Sequence, residues 1–171
     1  MPRGFTLLEL LITIAVMSIL LAAAAPSFQN VFETNKMQRL ADELHGFVIQ
    51  GKSEAVLRRE RLWAHFIMSG SSSNDGHWRI DLTDNGTEGA GTVLFSFSGA
   101  PYEGVVVTPN YASDQISFDD VHGRPSSGNI KFYSVGESTK ALKLISHTLS
   151  ARVRVCSDSN NTEFFGYSTC S

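Results

Sequence analysis

Residues 5–25 read FTLLELLITIAVMSILLAAAA, an almost unbroken apolar run. As a helix it would be roughly 31 Å long, enough to cross a bilayer core. Glu9 is its only charge, and Arg3 is the basic side chain ahead of it. A chain carrying this stretch must hold it in lipid or cover it with other protein. The basic residue marks the cytoplasmic side, so the remainder of the chain is expected outside the cytoplasm.

A secretory signal peptide is the alternative reading, with Ala22 to Ala25 imitating its small-residue cleavage site. Glu9 argues against it. A carboxylate costs about 2.5–3.5 kcal/mol at the membrane centre, and less near the interface. It therefore needs a partner. Cleavage after Gly4 would create one by freeing an α-amine on Phe5, four residues from Glu9.

Gly4-Phe5-Thr6-Leu7-Leu8-Glu9 resembles the class III signal of type IV pilins and type II secretion pseudopilins. The resemblance implies cleavage between Gly4 and Phe5 by a prepilin peptidase and N-methylation of Phe5. It also implies that Glu9 guides filament assembly by meeting the N-terminal amine of a neighbouring subunit.

The chain has 171 residues, of which 42% are hydrophobic and 18% charged, with a net charge of −3. That is one domain's worth of chain, too short for a multidomain enzyme and too apolar for a disordered one. Its acidic balance excludes a wholly basic nucleic-acid binder, so any such contact would be local.

Beyond Pro26 the pattern stays helical. Phe28, Phe32, Leu40, Leu44, Phe47, Val48 and Ala55 recur at three-to-four spacing, which predicts an amphipathic helix to about Arg61. Pro26 would end or bend it; the pilin resemblance favours a bend. Gly46 and Gly51 each weaken it and could let a strand pack close. Arg58-Arg59-Glu60-Arg61 reads as a solvated, dipole-compatible helix end, with a phosphate or partner contact as the alternative. Eight short segments rich in β-branched and aromatic residues follow: 62–68, 77–82, 93–98, 104–108, 115–119, 129–134, 142–146 and 152–156. One helix against an antiparallel sheet is the natural solution.

Ser53-Glu54-Ala55-Val56-Leu57-Arg58 resembles the end of the long helix in the GspH/FimT group, with Gly51-Lys52 replacing the usual Ala-Arg. Ile116-Ser117-Phe118, Gly123-Arg124 and Ile130-Lys131-Phe132 resemble its "I-x-F…GR…G-x-I-x-F" hairpin. The resemblance implies an α+β, pilin-like fold. It divides the chain into a leader (1–4), a transmembrane or filament-core helix (5–25), its amphipathic continuation (26–61) and a periplasmic β-rich domain (62–171).

No enzyme motif stands out. The histidines at 45, 65, 77, 122 and 147 lack metal-ligand spacing. Asp119-Asp120 reads as a turn, with a calcium site as the minor alternative. No cofactor or metal is expected. Cys156 and Cys170 flank a stretch rich in Ser, Asn and Gly. In an oxidising periplasm a disulfide would staple that tail for about 3 kcal/mol, the alternative being two free buried thiols.

In Ala151-Arg152-Val153-Arg154-Val155-Cys156 a strand would turn Val153 and Val155 to the core and Arg152 and Arg154 outward. Their Cα atoms would be roughly 6.6 Å apart, and two guanidiniums side by side can grip successive phosphates. Lys131, Lys140, Lys143, Arg152 and Arg154 face only Glu137 over that stretch, a local basic excess. An ordinary solvated strand face is the other reading. FimT-type minor pilins resemble this tail, with a "GRxR" motif ahead of a cysteine loop, and the resemblance implies DNA capture. Here Ala151 replaces the glycine.

These readings describe a non-enzymatic minor pilin or pseudopilin. Its expected partners are a prepilin peptidase, other major and minor pilins or pseudopilins, the inner membrane and, through Arg152 and Arg154, DNA. A GspH-type pseudopilin of the type II secretion system is the alternative to a type IV pilus subunit. The expected location is the bacterial inner membrane, single-pass, with the C-terminal domain periplasmic, and then the filament.

Overall fold

In a computed structural model, the described residues are 5–159 and 161–170, with the side chains at 23–27 and 29 excepted. The chain divides into two compact units, Met1–Asn35 and Lys36–Ser171.

Helix α1 (Leu7–Arg58) begins in the first unit and continues past Pro26 rather than ending there. Thr6 caps it: its Oγ1 accepts the Glu9 N–H at 3.2 Å, the first half of a capping box. In the first unit the apolar side chains face outward all round. Leu10 is 52% exposed, Met17 68% and Leu21 69%. Phe28 and Phe32, expected on the buried stripe, are exposed as well. No helix among the described residues is long and apolar enough to cross a membrane.

In the second unit α1 has one buried stripe. Met37, Leu40, Ala41, Leu44, Phe47, Val48 and Ala55 are buried at helical spacing. The helix stops at Arg58, three residues before the expected end. Arg59 takes a left-handed φ of 54°, and the Glu60 and Arg59 N–H groups donate back to the Ala55 and Val56 carbonyls. This is a Schellman-type ending with arginine where glycine is usual.

Among the described residues the β part contains eight antiparallel strands, close to the expected segments, but they form two four-stranded sheets rather than one. The strands are β1 (Leu62–Ile67), β2 (Arg79–Thr83), β3 (Val93–Ser98), β4 (Val105–Asn110), β5 (Gln115–Phe118), β6 (Gly128–Ser134), β7 (Leu142–His147) and β8 (Arg152–Ser157). The first sheet runs β3-β2-β1-β5 and the second β4-β6-β7-β8. Alternation decides which side chains turn inward. Ala64, Phe66, Ile80, Leu82, Ile116 and Phe118 do so from the first sheet, and Val105, Val107, Ile130, Phe132, Leu142 and Leu144 from the second. These residues and the stripe of α1 form one core.

Two glycines set how closely the helix and hairpins approach. A Cβ on Gly51 would lie 2.9 Å from Cζ of the fully buried Phe118. Gly123, in the β5–β6 turn, combines a φ of 61° with a position where a Cβ would stand 2.5 Å from the Lys52 carbonyl oxygen. Gly46 has open space around its Cβ direction. Gly46→Ala should therefore stabilise the protein by about 1 kcal/mol, the helix-propensity difference alone. Gly51→Ala adds the cost of overpacking and should come out destabilising by about 1 kcal/mol. Urea unfolding of both variants checks this. Two changes of the same sign would refute the close approach.

Candidate functional site

Two features carry the sequence expectations, and they lie in different units. The first is the start of α1. Gly4, on one side of the expected cleavage bond, lies outside the described residues; Phe5 is 74% exposed. Glu9 sits in the first turn and is exposed. A carboxylate there also suits the positive end of the helix, worth about 0.3–1 kcal/mol. The capping bond to Thr6 is made by the Glu9 backbone N–H. It leaves the exposed carboxylate available to a group outside the chain.

The second feature is the outer face of the second sheet with the tail behind it. Arg152 and Arg154 lie on the same face of β8, pairing across from His147 and Ile145 of β7. Val153 and Val155 pack against the core. Arg152 is exposed and Arg154 half-buried. The strand enters through a turn in which the Ala151 N–H donates to the Thr148 carbonyl. Ala151 has a φ of 51°, the left-handed region where glycine is at ease. The glycine of the resembled "GRxR" motif thus answers a backbone demand of this turn. The Ala151 carbonyl accepts a 2.7 Å hydrogen bond from Lys52 Nζ, tying the turn to α1.

The basic excess is smaller in space than in sequence. Lys143 Nζ and Lys131 Nζ contact the two carboxylate oxygens of Asp158 at 2.7 and 2.9 Å. Lys140 pairs with Glu137 at 2.6 Å. Asp158 stands just beyond the stretch counted along the sequence, and only the sheet pairing brings it under both lysines.

Cys156 and Cys170 form a disulfide. The tail is held by more than this staple. Phe165 and Tyr167 pack against the core. The Phe165 carbonyl accepts from Gln38 Nε2 at 3.0 Å, and Tyr167 Oη donates to Asp42 Oδ1 at 2.9 Å, both on α1. Burial, reinforced by the Asp42 carboxylate, pushes the Tyr167 hydroxyl up to about 12.

The remaining candidates fall into structural roles. Asp119 Oδ1 accepts the Val121 and His122 N–H groups and so closes the β5–β6 turn. His65 is buried in β1, with Nε2 2.8 Å from the Asn85 carbonyl oxygen. It lines a cavity of about 140 Å³ with Asp81, Thr83 and the Gly89–Gly91 loop. Asp81, directly across from His65, is buried with Oδ1 unpartnered. Its Oδ2 accepts from Arg79 Nε at 2.9 Å. Asp81 was not legible as special because it alternates like any strand residue. Among the described residues, no group of three His, Cys, Asp or Glu is placed to hold a metal ion.

Asp158 gives this region a pH dependence. Burial alone would raise its carboxyl. The hydrogen bonds and charges of Lys143 and Lys131 outweigh that and hold it below the usual carboxylate range. A depressed folded-state pKa contributes stability above the unfolded value of about 4, which is lost as pH falls through the folded value. Asp158→Asn should cost about 1 kcal/mol at pH 7, since the group is only partly exposed. The gap should shrink progressively as pH falls below about 4. Urea unfolding at pH 7 and pH 3 measures it; an equal gap at both pH values would contradict the pairing.

Residues 2–25 match the family model described as the prokaryotic N-terminal methylation motif. Residues 40–159 match the model described as type II transport protein GspH. Two relatives, both fimbrial proteins of Pseudomonas aeruginosa, are 29% identical over 126 residues, spanning 67% of this chain and 82% of each relative. The crystal structure of the type IV minor pilin FimU from Pseudomonas aeruginosa PAO1 aligns with a TM-score of 0.58 at 16% identity, covering 72% of this chain and 90% of FimU. A second crystal form of FimU gives 0.53 at 14% identity, covering 69% and 90%. At such identities the likeness speaks for the fold, a helix packed on antiparallel sheets. The GspH match covers well over half of the sequence, so the chain belongs to the GspH family, the minor pilins and pseudopilins of type IV pili and type II secretion.

Proposed function

We propose that this chain is a minor subunit of a type IV pilus, processed after Gly4, anchored through residues 5–25 and then drawn into the filament. The observation that carries this is the first part of α1. From Leu7 to Leu21 its large apolar side chains are exposed on every side, and one acid, Glu9, interrupts them. Such a surface is not compatible with water and is satisfied by lipid before assembly and by neighbouring helices after it. Glu9 then meets the α-amine that cleavage exposes on an adjacent subunit, a charge pair made in a low-dielectric setting where an unpaired carboxylate is costly. The disulfide supports a periplasmic setting for the second unit. The work done is assembly rather than catalysis.

Glu9→Ala tests the docking role. The variant keeps the backbone N–H that Thr6 caps, so the helix start is preserved. Processing should stay intact while the amount recovered in sheared filaments falls at least tenfold. Normal recovery would refute the role of Glu9.

Arg152 and Arg154, side by side on the outer face of β8, support a second property: capture of DNA by its phosphates. The full-length chain in detergent should bind duplex DNA without sequence preference, more weakly as salt rises. Arg152→Gln with Arg154→Gln should lower the affinity at least tenfold and reduce the salt slope by about two. Absence of binding at low salt would return the pair to a solvated strand face. The GspH family description favours a role in type II secretion as the competing system. Deletion of the gene would then abolish export of folded proteins and leave pili unaffected.

A further inference from the structure

Along β1 and β2, His65, Asp81 and Thr83 alternate with the core-facing Ala64, Phe66, Ile80 and Leu82, so they belong to the outer face of the first sheet. That face carries a cavity of about 140 Å³, which these three residues share with Arg79 and with Gly89–Gly91 of the β2–β3 loop. The loop is tied down. The Thr92 N–H donates to Asp84 Oδ1 at 2.7 Å and the Thr87 N–H to Asn85 Oδ1 at 2.9 Å. The Asn85 carbonyl accepts from Thr83 Oγ1 and from His65 Nε2, both at 2.8 Å. The Thr83 hydroxyl and His65 Nε2 thus spend their protons on the loop.

Asp81 is left short of a donor. It is 6% exposed, and Arg79 Nε donates to its Oδ2 at 2.9 Å. Its Oδ1 is buried and has no partner among the described residues. Arg79 is more than half exposed, so water screens much of its charge. A buried carboxylate oxygen without a donor is costly. The same chain satisfies the less buried Asp158 with a cation on each oxygen, Lys143 on Oδ1 and Lys131 on Oδ2. Asp81 has a cation on Oδ2 alone.

The cavity selects its ligand by charge and size. The carboxylate of Asp81 repels an anion. A metal ion lacks ligands, because no three His, Cys, Asp or Glu among the described residues come together. At roughly 30 Å³ each, about four or five heavy atoms fit, too few for a sugar or a nucleotide. Ile67 and Val93 supply apolar wall. A short alkyl chain ending in an ammonium meets all of these terms, with methylenes on the wall and a charged donor for Oδ1. We propose that the cavity binds an alkylammonium group, carried by a small free amine or by a lysine side chain of an adjacent protein.

Titration of the full-length chain in detergent with propylammonium tests this. The amine should bind, and its neutral counterpart 1-propanol should not. Asp81→Asn should weaken binding at least tenfold. So should Ala90→Leu, which fills the cavity from the half-buried loop and leaves the carboxylate in place. Glu88→Gln, which removes an exposed charge from the same loop, should change it less than twofold. Amine-reactive labelling of what the purified chain releases on denaturation detects a free amine. A photo-crosslinker at Ala90 in membranes, joined to a lysine-containing peptide and competed away by propylammonium, identifies a side chain instead. The proposal is overturned if propylammonium does not bind, if 1-propanol binds equally, or if Asp81→Asn and Ala90→Leu bind as the wild type does. It is also overturned if neither a released amine nor a competed crosslink is found.

Discussion

The second unit depends on one packing arrangement: the buried stripe of α1 from Met37 to Ala55 held against both sheets at once. Neither sheet buries its inner face alone, and among the described residues no strand of one sheet pairs with a strand of the other. The helix closes the core. It does so at short range because Gly51 presents no side chain to Phe118 and Gly123 lets the β5–β6 turn sit on the Lys52 carbonyl. Polar ties then fix the helix to distant parts of the chain. Lys52 holds the turn before β8, while Gln38 and Asp42 hold the disulfide-closed tail.

The same helix has opposite surface chemistry in its two units. In the second it is amphipathic, with ion pairs such as Arg39–Glu43 and Arg58–Glu54 on its solvent side. In the first, from Leu7 to Leu21, it carries large apolar side chains that are exposed. A stretch of that kind is stable only in an environment supplied from outside, lipid or like helices. Membership of the GspH family and the N-terminal methylation motif agree with that environment being a filament.

Much of this was legible in the sequence, for identifiable reasons. Each strand is a short run of β-branched and aromatic residues between Gly, Ser, Asn and Asp clusters, so the strands could be placed to within two residues. Their division into two sheets could not. It depends on which strands meet across long sequence separations, as when β5 pairs with β1 rather than with β4 or β6. The buried stripe was found from Leu40 to Ala55, whereas Phe28 and Phe32 share its spacing but lie in the unit without a core. The early helix end was hidden because Arg59 adopts a conformation its residue type does not advertise. At the candidate sites the outward arginine pair followed from alternation alone. The cancellation of Lys131 and Lys143 by Asp158, and the docking of Phe165 and Tyr167, are tertiary facts that no local pattern contains.

The central claim is that the chain is a processed subunit within a filament. Mass spectrometry of the N-terminal peptide from sheared, purified filaments tests it most directly. The expected result is this chain in the filament fraction, beginning at Phe5 with a methylated α-amine. Absence from filaments of cells that produce the protein, or recovery there with residues 1–4 still attached, would contradict it.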